Sequence, residues 1–336
     1  MAIKKSNKTK ESGKLSKSKT AVIALGGNAI IKEGQEGNIY QQFANTRESL
    51  AGIVELIRSG YNIIITHGNG PQVGNYLIRV ESAAHLVPRV PLGVCVAGTE
   101  GDMGYMIEQS LQNRLHREGI ERYVVTVLTQ VVVDQNDPAM QNPTKFVGPF
   151  FKERDLPRLQ AETDWVIKED PGRGYRRVVP SPIPLAVVES AVIKRLVREG
   201  IIVIACGGGG IPVYYMEGHI LEGVDAVIDK DRASAVLAIE VGAEIFVMLT
   251  GEEAVYLHYK TPEQVKLSKV TKSQAKEYYK AGNFPAGSMG PKIEAAIQFL
   301  ESGGKAVIIT SPEMVVPALD GKAGTRIVPD GSLIQY

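Results

Sequence analysis

Apolar residues in this chain come in short runs that stop abruptly at glycine. Ala21–Leu25 gives way to Gly26-Gly27-Asn28, Ile63–Ile65 runs toward Gly68-Asn69-Gly70, and Ile201–Ile204 leads to four glycines, Gly207 to Gly210. Runs of this length, apolar on both faces and bounded by turn residues, predict buried strands. The set comprises Ala21–Leu25, Tyr61–Thr66, Tyr123–Val133, Ile201–Cys206, Glu244–Thr250 and Lys305–Thr310. Between them the apolar period changes to that of a helix, as at Leu50, Ile53, Val54 and Ile57 and again at Ile293, Ala296, Ile297 and Leu300. Alternation of this kind predicts an α/β fold, a three-layer α/β/α sandwich around a mostly parallel sheet.

Two stretches interrupt the rhythm. From Asp134 to Pro184 the chain is rich in proline, glycine and charge. It is too long for a plain loop, so a small lid subdomain protruding from the sheet is expected over about 134–184. Lys260 to Ala286 reads as a connection carrying a helix from Lys272 to Tyr279, and Ile327-Val328, Pro329-Asp330-Gly331 and Leu333-Ile334 read as a hairpin that adds an antiparallel edge.

Composition narrows the setting. At 336 residues and 44% apolar content the chain can bury a large core. No run approaches the roughly 18 uncharged apolar residues of a membrane span, and no apolar segment follows the N-terminal lysines, so a cytoplasmic protein without membrane contact is expected. Residues 1–19 hold seven lysines against the single acid Glu11 and read as a disordered tail ahead of one domain, 20–336. The net charge of +1 therefore conceals an acidic body, which with only 6% aromatics argues against a nucleic-acid surface. Cys95 and Cys206 match no zinc or disulfide framework and are expected as buried free thiols.

Glycine turns at strand ends suit an anion, because backbone N–H groups can face a ligand with no Cβ in the way and a following helix adds its positive end. The P-loop spacing, the dinucleotide Gly-x-Gly-x-x-Gly and the Gly-x-Ser-x-Gly elbow are all absent, and no histidine has metal-ligand spacing. What remains is lysine and aspartate. Asp229-Lys230-Asp231 stands before a strong helix former, where Asp231 has either a capping or a functional reading. Lys292 follows Pro291 into another helix start, a place unfavourable for a cation unless an anion binds there. Lys145, in Asn142-Pro-Thr-Lys145, reads equally as a lid residue reaching the same place or as a solvated lysine. Lysines around backbone cradles suit phosphoryl transfer, whose loose transition state needs positioning and positive charge rather than a covalent nucleophile. An acceptor that is already an anion needs no general base.

At these residues the chain resembles the carbamate kinases of the amino acid kinase superfamily. The likeness is carried by Ala24-Leu-Gly-Gly-Asn-Ala29, His67-Gly-Asn-Gly-Pro-Gln-Val-Gly74, Asn142-Pro-Thr-Lys145, Cys206-Gly-Gly-Gly-Gly-Ile-Pro212, Val227-Ile-Asp-Lys-Asp231 and Gly287-Ser-Met-x-Pro-Lys-Ile-Glu-Ala-Ala296, and it spans about residues 20 to 326. The resemblance implies reversible, direct in-line transfer between ATP and carbamate, giving ADP and carbamoyl phosphate, with Mg2+ carried by the nucleotide. It implies that Lys230 and Lys292 hold the transferring phosphoryl group, that Asp231 orients them and that Lys145 closes over it. Gly26, Gly27, Asn28, Gly68, Asn69, Gly70, Gly208 and Gly209 would cradle carbamate and phosphate. Thr250, Gly251, Tyr256, Gly287 and Met289 would contact the nucleotide. A homodimer is implied, and a place in arginine breakdown or in biosynthesis according to direction. A related kinase for acylglutamate, aspartate or a nucleoside monophosphate is the nearest alternative, and a non-catalytic sensor of carbamoyl phosphate or nucleotide the more distant one.

Overall fold

The computed structural model describes residues 19–32, 34–170, 174–285 and 287–332; the lysine-rich segment 1–18 and Leu333-Ile334 of the expected hairpin lie outside them. At the centre is an eight-stranded sheet in the order β15 (Lys269–Thr271), β17 (Thr325–Val328), β16 (Ala306–Thr310), β12 (Ile245–Leu249), β1 (Thr20–Leu25), β2 (Asn62–His67), β9 (Ile202–Ile204) and β3 (Val124–Thr126). Neighbours run parallel except β16 and β17. Among the described residues the antiparallel pairing near this edge is made by β17 returning against β16, with β15 outside it.

Successive residues of β1 serve opposite faces. Val22 and Ala24 join one core with Ile193 and Val197 of α7 (Ser190–Arg198), Leu237 and Val241 of α8 (Lys230–Val241), and Ile293, Ile297 and Leu300 of α10 (Met289–Glu301). Ala21, Ile23 and Leu25 join the other with Ile53 and Ile57 of α2 (Ala51–Arg58), Ile107, Leu111 and Leu115 of α4 (Leu92–Arg117), and Val315 of α11 (Val315–Leu319). Each buried Val, Leu or Ile among them contributes roughly 1.5–3 kcal/mol relative to exposure, and the two faces together make the three layers. The helix expected at Lys272–Tyr279 forms as α9 (Lys272–Lys280), its Thr271 side chain accepting from the Gln274 amide.

The run Tyr123–Val133 does not form one strand. It breaks after β3 at Thr126 and resumes as β4 (Gln130–Val133), which belongs to a different, four-stranded sheet in the order β11 (Leu221–Gly223), β10 (Ile211–Tyr215), β4 and β8 (Pro184–Val187). The reason is polar: Thr129 Oγ1 donates to Val127 O at 2.7 Å and accepts from the Cys206 amide at 3.0 Å, which bends the chain where an apolar pattern reads straight on.

The segment expected as a lid contains α5 (Pro138–Gln141), α6 (Leu156–Glu162) and its own three-stranded antiparallel sheet, β5 (Lys145–Phe151), β7 (Gly174–Val179) and β6 (Val166–Asp170), with residues 171–173 outside the description. β5 follows the Asn142-Pro-Thr stretch and packs beside α3 (Gly70–Ala83), where Val147 and Val179 meet Val73 and Leu77. α1 (Ile39–Ser49) and the antiparallel pair β13 (Val255–Leu257) and β14 (Val265–Leu267) lie outside these sheets; β14 and β15 fall within the 260–286 connection, where the polar sequence does not indicate strands.

Candidate active site

Helix α8 starts where it does because Asp229 caps it. Its Oδ1 accepts from the amides of Asp231, at 2.9 Å, and Arg232, at 3.2 Å. The cap is therefore Asp229, and Asp231 is left free for other work. One Asp231 oxygen lies 2.8 Å from Lys230 Nζ and the other 2.6 Å from Lys292 Nζ, which arrives from the first turns of α10. Side-chain exposure is 5% for Asp231, 13% for Lys230 and 12% for Lys292. Burial alone would raise the Asp231 carboxyl, but attraction and hydrogen bonds from both lysines reverse this and hold it at about 2. Burial pulls the Lys230 ammonium down, with repulsion from Lys292 adding and Asp231 opposing. Asp229 also attracts Lys230 and meets Lys145, so three ammonium groups stand against two carboxylates, and the excess positive charge suits an arriving anion.

The glycine turns surround this trio. Gly68 lies close enough to Lys230 that a Cβ there would sit 3.6 Å from Lys230 Cδ, and its amide donates to Leu25 O at 3.0 Å, joining it to the end of β1. Gly26 presses on the end of β12, where a Cβ would come 2.5 Å from Leu249 O. Gly27 and Gly70 face open space; the side chain of Asn28 lies outside the described residues. The four-glycine turn has a packing reason as well as an anion-binding one: a Cβ on Gly208 would stand 2.1 Å from Asn69 Nδ2, and one on Gly209 2.4 Å from Ile228 O. Both have positive φ, +67° and +101°. Asn69 Nδ2 is itself held by Thr99 Oγ1 at 2.8 Å, so the turns after β2 and β9 interlock.

A cavity of about 260 Å³ opens beside the trio and has Lys292 in its wall. Of the residues expected to contact a nucleotide, Thr250, Gly251, Tyr256 and Met289 line this cavity and Gly287 does not. Tyr259, Phe284 and Pro285 also line it and escape sequence reading, since isolated aromatics in a polar connection carry no periodic signal. One wall is aromatic and apolar, the end polar and cationic, which suits a flat heterocycle carrying an anionic chain.

Lys145, at the start of β5, reaches to 3.8 Å from Asp229 Oδ2 while about a third of its side chain remains exposed. Both Asp231 oxygens are occupied by the lysines, and no group of three His, Cys, Asp or Glu side chains among the described residues is arranged to hold a metal ion. The donor set thus does not fit a metal held by protein ligands alone. His67, at the end of β2, donates from Nδ1 to Gly68 O at 3.2 Å, and burial keeps its pKa near 4, so it stays neutral at pH 7.

Residues 19–311 match the amino acid kinase family. The chain is 50% identical over 313 residues to the carbamate kinase of Pyrococcus furiosus, covering 93% of this chain and 99% of that protein. It is 48% identical over 310 residues to the carbamate kinase-like protein YahI of Escherichia coli, covering 91% and 98%. Among solved structures, the carbamate kinase of Giardia lamblia bound to AMP-PNP superposes with a TM-score of 0.89 at 42% identity, covering 94% of this chain and 99% of that one.

Proposed function

The chain belongs to the carbamate kinases of the amino acid kinase family, and on that footing we propose that it transfers a phosphoryl group directly and reversibly between ATP and carbamate. The observation that carries the reading is Lys292, which binds Asp231 and also walls the cavity that suits a nucleotide. The nucleoside would occupy the aromatic wall formed by Tyr256 and Phe284, with its phosphates running toward Lys292. The transferring group then meets Lys230 and Lys292, whose positions Asp231 fixes in advance, so that positive charge is in place before charge develops on the phosphoryl oxygens. Carbamate is itself an anion and attacks without a general base, and backbone amides of the glycine turns at 26–27, 68–70 and 208–209 are enough to orient so small a molecule. Lys145 would add the last cation when the three-stranded sheet closes over the site.

Mg2+ would be carried by the nucleotide phosphates, and no residue here is assigned to it. Its chemistry is neutralisation of phosphate charge. A homodimer acting in the cytoplasm completes the reading. Two features support a partner surface at the sheet edge formed by β3: Tyr123 is 77% exposed and Leu128 52%. No helix among the described residues is long and apolar enough to cross a membrane.

The test is ADP-dependent ATP formation from carbamoyl phosphate, run beside acylglutamate, aspartate and nucleoside monophosphates as ATP-dependent acceptors. Turnover with carbamoyl phosphate alone is expected. Preference for any of the others would replace this substrate assignment.

A further inference from the structure

Glu100 sits in α4 directly behind the four-glycine turn and is 1% exposed. Its Oε2 accepts from the Thr129 amide at 2.8 Å, and the Gly207 amide faces the same carboxyl. Oε1 is buried without a hydrogen-bond partner. The contact is tight, since a Cβ on Gly207 would come 2.9 Å from Glu100 Cγ and 2.6 Å from His67 Nε2. Thr129 extends the connection, its Oγ1 accepting from the Cys206 amide at 3.0 Å. Glu100 therefore holds the Thr129 amide of the β3–β4 link and packs against Gly207, the first residue of the turn, while Gly208 and Gly209 face Asn69 and Ile228.

The groups around it supply no positive charge. From β2 comes the neutral His67, from the end of β9 the buried Cys206 thiol, which is pushed well up by burial and then by Glu100, and from the start of α7 the carboxylate of Glu189, engaged by Gln130 N at 2.8 Å and Gln130 Nε2 at 3.0 Å. No ion pair reaches Glu100 among the described residues. An ionised carboxylate in such surroundings is uncompensated, so the proton stays on. Burial raises the Glu100 pKa to about 8, with Glu189 adding and the Thr129 and Gly207 amides opposing.

We propose that Glu100 is a positioning residue for phosphoryl transfer, holding the four-glycine turn in its substrate-binding shape in the protonated form and releasing it on ionisation. The proposal rests on the carbamate kinase reading for its kinetic consequence. A negative charge directly behind a turn that receives anionic substrates opposes their binding, and the demand for solvation draws the carboxyl out of its place between Thr129 and Gly207.

The experiment compares the full chain with E100Q and E100A. In the wild type, kcat/KM for carbamoyl phosphate is expected to fall about tenfold per pH unit above pH 8, as for loss of one essential proton. E100Q keeps shape and hydrogen bonding but cannot ionise, and is expected to hold activity within about threefold at pH 7 and to lose this alkaline limb. Lys230 is unchanged in E100Q, so a limb that persists belongs to the lysine and overturns the proposal. E100A removes the acceptor of the Thr129 amide and the side chain packed on Gly207, and is expected to lose about tenfold or more in kcat/KM at pH 7 with KM for ADP nearly constant, as misplacement of a substrate cradle does; unchanged kinetics would also overturn it. A readout independent of turnover is thermal unfolding. The unfolded carboxyl ionises near the ordinary value of 4.5 and the folded one near 8, so the stability contributed by Glu100 is full below the first and is lost as pH rises toward the second. The wild-type midpoint should therefore drop relative to E100Q between pH 5 and 8 and run parallel above. Parallel curves throughout would overturn the protonated state even if carbamoyl phosphate were not the substrate, whereas absence of turnover in a wild type with the expected curves would overturn only the substrate.

Discussion

Lys145 stands 3.8 Å from Asp229, the residue whose other oxygen caps α8. One carboxylate thus fixes the helix that delivers Lys230 and Asp231 and also meets the cation that comes from the separate three-stranded sheet. Lys145→Ala should lower kcat by about tenfold or more while leaving ATP affinity within about twofold, because an interaction made chiefly in the transition state affects kcat rather than ground-state binding. Steady-state kinetics beside calorimetric titration with ATP decides this; a rise in Kd matching the loss in kcat would place Lys145 in ordinary nucleotide binding.

Lys230→Ala and Lys292→Ala should each cost about 100-fold or more in turnover, the scale for removing a preorganised charge donor. A loss of only a few-fold would remove them from the transition state.

The Asp231 carboxyl is held near 2 in the fold against an ordinary 3.8. Its pKa is depressed, so its contribution is present above about pH 4 and lost as pH falls toward 2, on the order of 2 kcal/mol in total. Asp231→Asn should abolish that acid-side loss and be less stable than wild type at pH 7, read from urea unfolding at several pH values. An acid limb identical in the two proteins would contradict the coupling of Asp231 to the lysines.

Sequence reading reached much of this site because its pieces are local. Asp229 to Asp231 before a helix, lysine after Pro291, and glycine at strand ends are marked within a few residues each. It did not reach Glu100, Phe284 or Pro285, whose roles depend on which distant segments they meet. Nor did it separate β3 from β4, since Thr126, Thr129 and Gln130 fit within a strand as readily as their apolar neighbours and the break comes from the hydrogen bonds of Thr129. The capping reading of Asp231 gives way to Asp229, whose side chain accepts from the first amides of α8.

Gly208→Ala places a methyl 2.1 Å from Asn69 Nδ2 at φ +67° and should cost more than about 2 kcal/mol, with loss of substrate binding. Gly218→Ala, at φ +79° with open space around it, isolates the backbone part and should cost only about 1 kcal/mol with activity intact. Urea midpoints and KM for carbamoyl phosphate distinguish the two; equal destabilisation would mean that close packing of the turn is unimportant.

Phe284→Ala should raise KM for ADP about tenfold or more and leave KM for carbamoyl phosphate nearly unchanged, as expected for a side chain that meets only the base. A comparable rise in both would remove the division between the aromatic wall and the cationic end.

β10 begins at Ile211, immediately after the last glycine, and is at once in register with β4, Ile211 opposite Gln130 and Val213 opposite Val132. On the other side the turn leaves β9, whose register with β2 and β3 is equally set. The loop is therefore a spacer of fixed count between two ladders. A residue added or deleted here must be absorbed within the buried turn itself, because passing it on to β10 would turn every side chain of that strand to the opposite face of its sheet.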